Sequence, residues 1–189
     1  MKKIILGLVG PIASGKSVVS DYLKRKGFMV EKLSNRLREE ADKRNLECTR
    51  EILQDLGNEL REVHGVGYLA EWTINKFSNS EHPICLDGVR NPGEVEVIKK
   101  MGGMVLAIDA IDEKRMTWYM TRSKSRDEDG QTREEFLKAD KRDSGVGEAS
   151  NGQQVLECVR QADLVIENNG TVDDLLHRVD LIVDDLLLS

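Results

Sequence analysis

The stretch Gly10-Pro11-Ile12-Ala13-Ser14-Gly15-Lys16-Ser17 constrains the fold more than any other part of the chain. It follows an apolar run, Ile4 to Val9, and precedes a helical pattern that begins at Val18. The spacing G-x-x-x-x-G-K-[ST] therefore falls between a buried strand and the mouth of a helix, the context in which it forms a phosphate cradle. Gly10 and Gly15 allow backbone conformations that turn successive N–H groups inward. The helix N-terminus adds its partial positive charge to the same anion. Gly10, Ala13, Ser14, Gly15, Lys16, Ser17 and Val18 are thus expected to hold ATP. Lys16 is expected to reach the β- and γ-phosphates as a catalytic cation, and the Ser17 hydroxyl to ligate Mg2+.

Hydrophobic periodicity extends the pattern. Short apolar runs predict strands near 4–9, 28–33, 83–87, 104–109 and 164–166. Helical spacing fills the intervals. Ser34 is placed to cap a helix reaching about Arg44. Leu53, Leu56, Leu60 and Val63 mark one face of a helix from Thr49 to Gly65, and a further helix is expected from Val66 to Phe77. Glu94 to Met101 and Glu113 to Arg122 are helical, and Thr132 with Glu135 forms a capping box. The last helix carries an apolar stripe from Val172 to Leu186. Strands alternating with helices predict an α/β fold with a parallel sheet covered on both faces. Ligands then bind beyond the carboxyl ends of the strands, where the phosphate loop, Asp87 and Asp109 fall. With 189 residues and no internal repeat, one domain spanning 1–189 is expected. Segments 34–80 and 120–150 are expected to stand off its core.

Composition narrows the possible partners. A net charge of −6 argues against a general nucleic-acid binder, and no apolar run is long enough to span a bilayer. Cys48, Cys85 and Cys158 are odd in number and widely spaced, so neither a disulfide framework nor a zinc motif is expected. Reduced thiols in a cytoplasmic protein, a monomer or homodimer, are the simplest reading.

A second anion site is also expected. Asp87 is assigned to the end of the third strand, where its carboxylate can hold Mg2+ or a water on it. Arg90, three residues on, offers a bidentate donor to a phosphate. Arg36 and Arg38 open the helix after the second strand, where a cation is unfavourable for the dipole unless an anion lies nearby. Either could instead pair with Glu39 or Glu40. Arg115, Arg122, Arg126, Arg133 and Arg142 surround a polar stretch at 123–131 and suit a lid over a triphosphate. Catalytic roles are accordingly expected for Lys16, Asp87, Arg90, Arg122 and Arg126. The acceptor is expected on Arg36, Arg38 and Arg90, and the metal on Ser17 and Asp87.

These residues resemble those of the P-loop NTPase-fold kinases that phosphorylate nucleotides and coenzyme precursors. Leu86-Asp87-Gly88-Val89-Arg90 is similar to the Asp-Gly-…-Arg segment of adenylate kinases, and Leu37-Arg38-Glu39-Glu40 to their monophosphate-binding helix. Arg126-Asp127, Thr132 to Phe136, and Ala162 to Gly170 resemble the lid and last strand of dephospho-CoA kinases. The overall spacing is similar to archaeal proteins related to both families. The resemblance implies a three-layer α/β/α sandwich with a five-stranded parallel sheet, a helical acceptor-binding insertion at about 34–80 and a lid at about 120–150. It implies a kinase using ATP and Mg2+ on a small nucleotide or coenzyme precursor. Dephospho-CoA kinases carry an acid just past strand two, whereas this chain reads Lys32-Leu33-Ser34-Asn35 with no acid until Glu39. That departure favours a nucleoside or deoxynucleoside monophosphate as acceptor over dephospho-CoA. A partner-driven ATPase stays open. Asn75-Lys76-Phe77-Ser78 lacks the Asp of a guanine signature.

Overall fold

Alternation along the first strand sends Leu6 and Leu8 to one side of the sheet and Ile5 and Val9 to the other, and all four are buried. The computed structural model describes residues 3–122 and 132–188. Its strands are β1 (Ile5–Val9), β2 (Met29–Lys32), β3 (Ile84–Val89), β4 (Met104–Asp109) and β5 (Leu164–Glu167). They pair in parallel in the order β2-β3-β1-β4-β5. The helices are α1 (Lys16–Arg25), α2 (Leu33–Lys43), α3 (Arg50–His64), α4 (Tyr68–Lys76), α5 (Pro92–Lys100), α6 (Asp112–Arg122), α7 (Arg133–Asp143), α8 (Val155–Arg160) and α9 (Val172–Leu188).

Helices cover both faces, giving the expected α/β/α sandwich. On one side Leu6, Leu8, Leu106 and Ile108 meet Val19 and Leu23 of α1 and Leu175, Val179 and Val183 of α9. On the other, Ile5, Val9, Leu86 and Val105 meet the apolar stripes of α2 to α5 and of α8. A third, smaller cluster seats Tyr119 of α6 and Phe136 of α7 on Ile12 and Ala13, so the last two helices before residue 150 pack directly on the phosphate loop. The rings of Tyr119 and Phe136 lie 5.3 Å apart. No helix among the described residues is long and apolar enough to cross a membrane.

Several local expectations change. Ser34 does not cap α2: the helix starts at Leu33 straight out of β2, Lys32 takes the N-cap, and no side chain caps it. Val63 is 66% exposed, because the buried face of α3 closes at Leu60 and Arg61 instead. Helix α5 begins two residues before Glu94. Asn91 accepts from Gly93 N, Pro92 fills the first turn, and Glu94 reaches back to the Asn91 N–H in a capping box. Strand β5 is a sheet edge, with Ile166 buried and Leu164 and Val165 exposed. Thr49 and Thr132 cap α3 and α7, and Glu135 completes the second box as its spacing predicts.

Candidate active site

The phosphate loop joins β1 to α1 through three residues with positive φ: Gly10 at 151°, Ala13 at 61° and Gly15 at 107°. A side chain at Gly10 would put its Cβ 2.0 Å from the Ile108 carbonyl oxygen. Gly15 occupies the N-cap of α1, and Val18 N and Val19 N return to its carbonyl. Two neighbours brace this turn from outside. Asn168, in the turn after β5, donates Nδ2 to Ser14 O at 3.0 Å. Arg115 of α6 donates Nη1 to Ile12 O at 3.1 Å and to Asp140 of α7 at 2.6 Å. Lys16 donates Nζ to the carbonyls of Gly10 and of Pro11, the latter at 2.8 Å. The Ser14 hydroxyl is buried without a partner among the described residues.

Beside the loop, β3 carries a bulge. The register with β1 runs Leu8 to Asp87 and then Val9 to Val89, leaving Gly88, at φ 88°, as the extra residue. Asp87 is therefore not the end of the strand: the strand continues to Val89, which is buried in the core, and Gly88 at the bulge lines the cleft. Arg90 follows immediately, its backbone N–H held by Glu94 Oε2 at 2.8 Å.

The cleft at the carboxyl ends of β1, β2 and β3 has two connected parts. The larger, about 290 Å3, is lined by Lys16, Ser17, Asp87, Arg38 and Arg90 among others. Lys32, Arg50 and Asp143 also face it. Five cationic side chains thus converge with two carboxylates, a field that favours polyanions. The smaller part, about 120 Å3, shares Ser34, Arg38, Arg50, Gly88 and Arg90 with the first, then continues between leucines of α2, α3 and α4. The Ser17 hydroxyl and the Asp87 carboxylate line the same cavity as Lys16. Two protein oxygens suit Mg2+, which retains several waters and phosphate oxygens. Among the described residues no cluster of three His, Cys, Asp or Glu forms a metal cage.

Not every expected residue reaches the cleft. Arg36 is seated away from it, with Nη1 on Glu40 at 3.0 Å, Nη2 on the Tyr68 hydroxyl at 3.3 Å, and its guanidinium 5.3 Å from the Trp72 ring centroid. The alternative pairing with Glu40 is the one realised. Hydrogen bonds from Arg36 and then Arg44 hold the Glu40 carboxyl below its usual range. Arg90 lines both cavities while donating Nη1 to Asp143 at 2.6 Å and to Gln153 at 2.9 Å. Arg115 and Arg142 brace helices instead of facing a triphosphate: Arg115 ties α6 to α7, and Arg142 pairs with Asp55 of α3 and with Glu148. Gly10 and Val18 shape the loop without lining the cavity. Arg126 lies outside the described residues, as does the side chain of Arg122.

The residues missed by sequence reasoning are Lys32, Arg50, Gln54, Asp143, Gln153 and Asn168. Arg50 carried a usable signal: it is a cation in the first turn behind the Thr49 cap, as unfavourable for a helix dipole as Arg36. Asp143 and Gln153 carried none, because only the tertiary fold brings them to Arg90.

A parallel sheet in this order, with a phosphate cradle between β1 and α1, defines a P-loop NTPase-type α/β fold. The chain is similar over 98% of its length to TT1252 from Thermus thermophilus, with a TM-score of 0.63 and 22% identity, covering 99% of that chain. It is similar over its whole length to the Mycobacterium tuberculosis APS kinase CysC in complex with AMPPNP and APS, with a TM-score of 0.54, 15% identity and 99% of that chain covered. No protein-family model matches the chain. It is 30% identical to a UPF0200 protein of Pyrococcus horikoshii over 97% of this chain and 98% of that protein, and it belongs to the UPF0200 family.

Proposed function

We propose that this protein is an ATP-dependent small-molecule kinase whose acceptor already bears a phosphate, a nucleoside or deoxynucleoside monophosphate. One observation carries the reading: the cavity holding Lys16, Ser17 and Asp87 opens through Arg38, Arg50 and Arg90 into a second, more apolar cavity. Two anions could face each other there, the triphosphate on the loop amides and the acceptor phosphate on guanidinium groups. Mg2+ held by Ser17 and Asp87 would supply charge neutralisation at the triphosphate. An acceptor phosphate oxygen forms the new bond to the γ-phosphorus as the bond to the β–γ bridging oxygen breaks, leaving a nucleoside diphosphate on the donor side. Such an oxygen is already ionised near neutral pH and needs no general base, in keeping with the lack of an acid between Lys32 and Glu39. The protein's part is then positioning and electrostatic stabilisation, through Lys16 on the donor side and Arg38, Arg50 and Arg90 on the acceptor side.

The test is ATP consumption measured against nucleoside and deoxynucleoside monophosphates and dephospho-CoA. Turnover should rise at least tenfold over water with a monophosphate and fall to background in Lys16→Ala. Equal rates with every acceptor and with water would replace the kinase reading by a partner-driven ATPase. A preference for dephospho-CoA would move the transfer to a hydroxyl.

A further inference from the structure

The smaller cavity ends in polar groups whose orientation is forced. Arg90 can only donate, so the end of the Gln153 amide that meets it must be Oε1. Gln54 meets that same oxygen at 3.1 Å and must therefore present Nε2. The chain of donors leaves Gln54 Oε1 as an acceptor with no partner among the described residues. Gln54 and Gln153 are both more than nine-tenths buried, and both line the cavity. Arg61 completes the set. Its Nε donates to Glu94 at 3.0 Å and its Nη2 ion-pairs with the same carboxylate at 2.9 Å, which leaves Nη1 as a donor. A Cβ added to Gly57, which also lines the cavity, would sit 3.3 Å from that Nη1, so the glycine keeps the approach to it open. Leu33, Leu37, Leu53 and Leu69 form the apolar walls.

We infer that this cavity takes a nucleobase, and that Gln54, fixed by Gln153, is a specificity-determining residue for the acceptor. An acceptor oxygen and a buried guanidinium donor call for a ligand edge with an N–H beside a lone pair. Leucine walls call for an apolar, flat body behind that edge. A heterocyclic base meets both demands, whereas a bare sugar phosphate would leave buried polar groups without partners. Sites built to hydrogen-bond a ligand group reject analogues lacking it strongly, by up to about 10⁴ or more. The inference rests on the proposed kinase reading for which end of the cleft takes the acceptor.

The experiment is calorimetric titration of the full chain with AMP, GMP, CMP, UMP and dTMP against ribose 5-phosphate. Saturating Mg2+ and a non-hydrolysable ATP analogue keep the phosphate loop filled. At least one nucleotide should bind about tenfold or more tighter than ribose 5-phosphate. Gln54→Met should bring that ratio below threefold. In the unaltered protein, the preferred nucleotide methylated at its base N–H should lose the same factor, and this arm does not depend on how the variant folds. The inference is overturned if no nucleotide exceeds ribose 5-phosphate by threefold, if the ratio survives Gln54→Met, or if methylation leaves affinity unchanged. The kinase reading is judged separately by turnover, so the two can fail independently.

Discussion

Glu94 links the stability of the fold to the placement of Arg90, and removing its charge is the sharpest perturbation the structure offers. The Glu94 side chain is fully buried and that of Arg61 is 3% exposed. Three hydrogen bonds and an ion pair converge on the carboxylate: Arg61 Nε donates to Oε1 at 3.0 Å with Nη2 in ion-pair contact at 2.9 Å, and the backbone N–H groups of Arg90 at 2.8 Å and Asn91 at 3.2 Å donate to Oε2. In Glu94→Gln the shape is kept, but one of the two oxygens becomes an NH2. Whichever way the amide turns, a pair of donors then faces a donor. If it faces Arg61, a buried guanidinium is left uncompensated. If it faces the backbone, the capping box of α5 is lost and Arg90 loses its anchor.

Breaking a buried ion pair from one side costs about 3–5 kcal/mol. For a chain of this length each kcal/mol lowers the melting temperature by about 2–4 °C, so Glu94→Gln should melt about 6–20 °C below the parent. Differential scanning calorimetry at neutral pH measures the shift, and urea unfolding checks it through the midpoint at constant m-value. At temperatures where the variant is folded, KM for the acceptor should rise more than KM for ATP, because the proposed function puts Arg90 on the acceptor side. A melting shift under about 3 °C would mean that water or local rearrangement satisfies these donors. The claim that Glu94 holds the Arg90 turn would then fail.

Three other outcomes are expected. Arg90→Ala should raise the acceptor KM at least tenfold while changing ATP affinity less than threefold; initial-rate kinetics with each substrate varied decide it, and the reverse pattern would put Arg90 on the donor side. Asn168→Ala removes the bond to Ser14 O that braces the phosphate loop. ATP affinity by calorimetry should drop about tenfold with a stability loss near 1 kcal/mol, and an ATP affinity within threefold of the parent would show the loop to be self-supporting. Asp180 accepts from Lys26 and from Tyr22, both at 2.5 Å, and tying α1 to α9 this way holds its carboxyl below the usual range. A lowered folded-state pKa stabilises above the unfolded value of about 3.9 and is lost as pH falls through the folded one. Asp180→Asn should therefore melt below the parent at pH 7 and together with it near pH 2; a gap that persists in acid would assign the effect to packing.

The phosphate-loop end of the cleft was legible because its determinants are local. Eight consecutive residues carry the cradle, and the preceding apolar run and following helical spacing place it. The strands were legible for the same reason: a parallel sheet buried on both faces leaves compact aliphatic runs such as Cys85-Leu86 and Val105-Leu106-Ala107-Ile108, all buried. What was illegible is non-local. Gln54 and Gln153 are 99 positions apart and meet only after α3 packs against the segment that follows α7. Asp143 ends a helix rich in charges of both signs, yet it is buried against Arg90. No periodicity distinguishes such a residue from its solvated neighbours.

Arg36 and Arg38 take opposite sides of α2. Both were expected to grip the acceptor because both open α2. Residues two apart on an α-helix lie about 200° apart around its axis, so they cannot present their side chains to the same ligand. One had to face the cleft and the other the α4 side. The neighbours decide which. Leu33 and Leu37 are buried and flank the cavity, and Ser34 and Arg38 follow them one position on, along the cleft wall. Arg36, one residue before Leu37, is turned toward Tyr68 and Trp72, with Glu40 a single helical turn away to pair with it. The same rule organises α3. Arg50, Gln54, Gly57 and Arg61 recur at intervals of four, three and four and make one continuous polar line along a cavity that Leu53 helps to wall. A helix presenting a stripe of guanidinium, amide and glycine beside its leucines is not burying a plain core face, and that stripe lines the cavity that the proposed function gives to the acceptor.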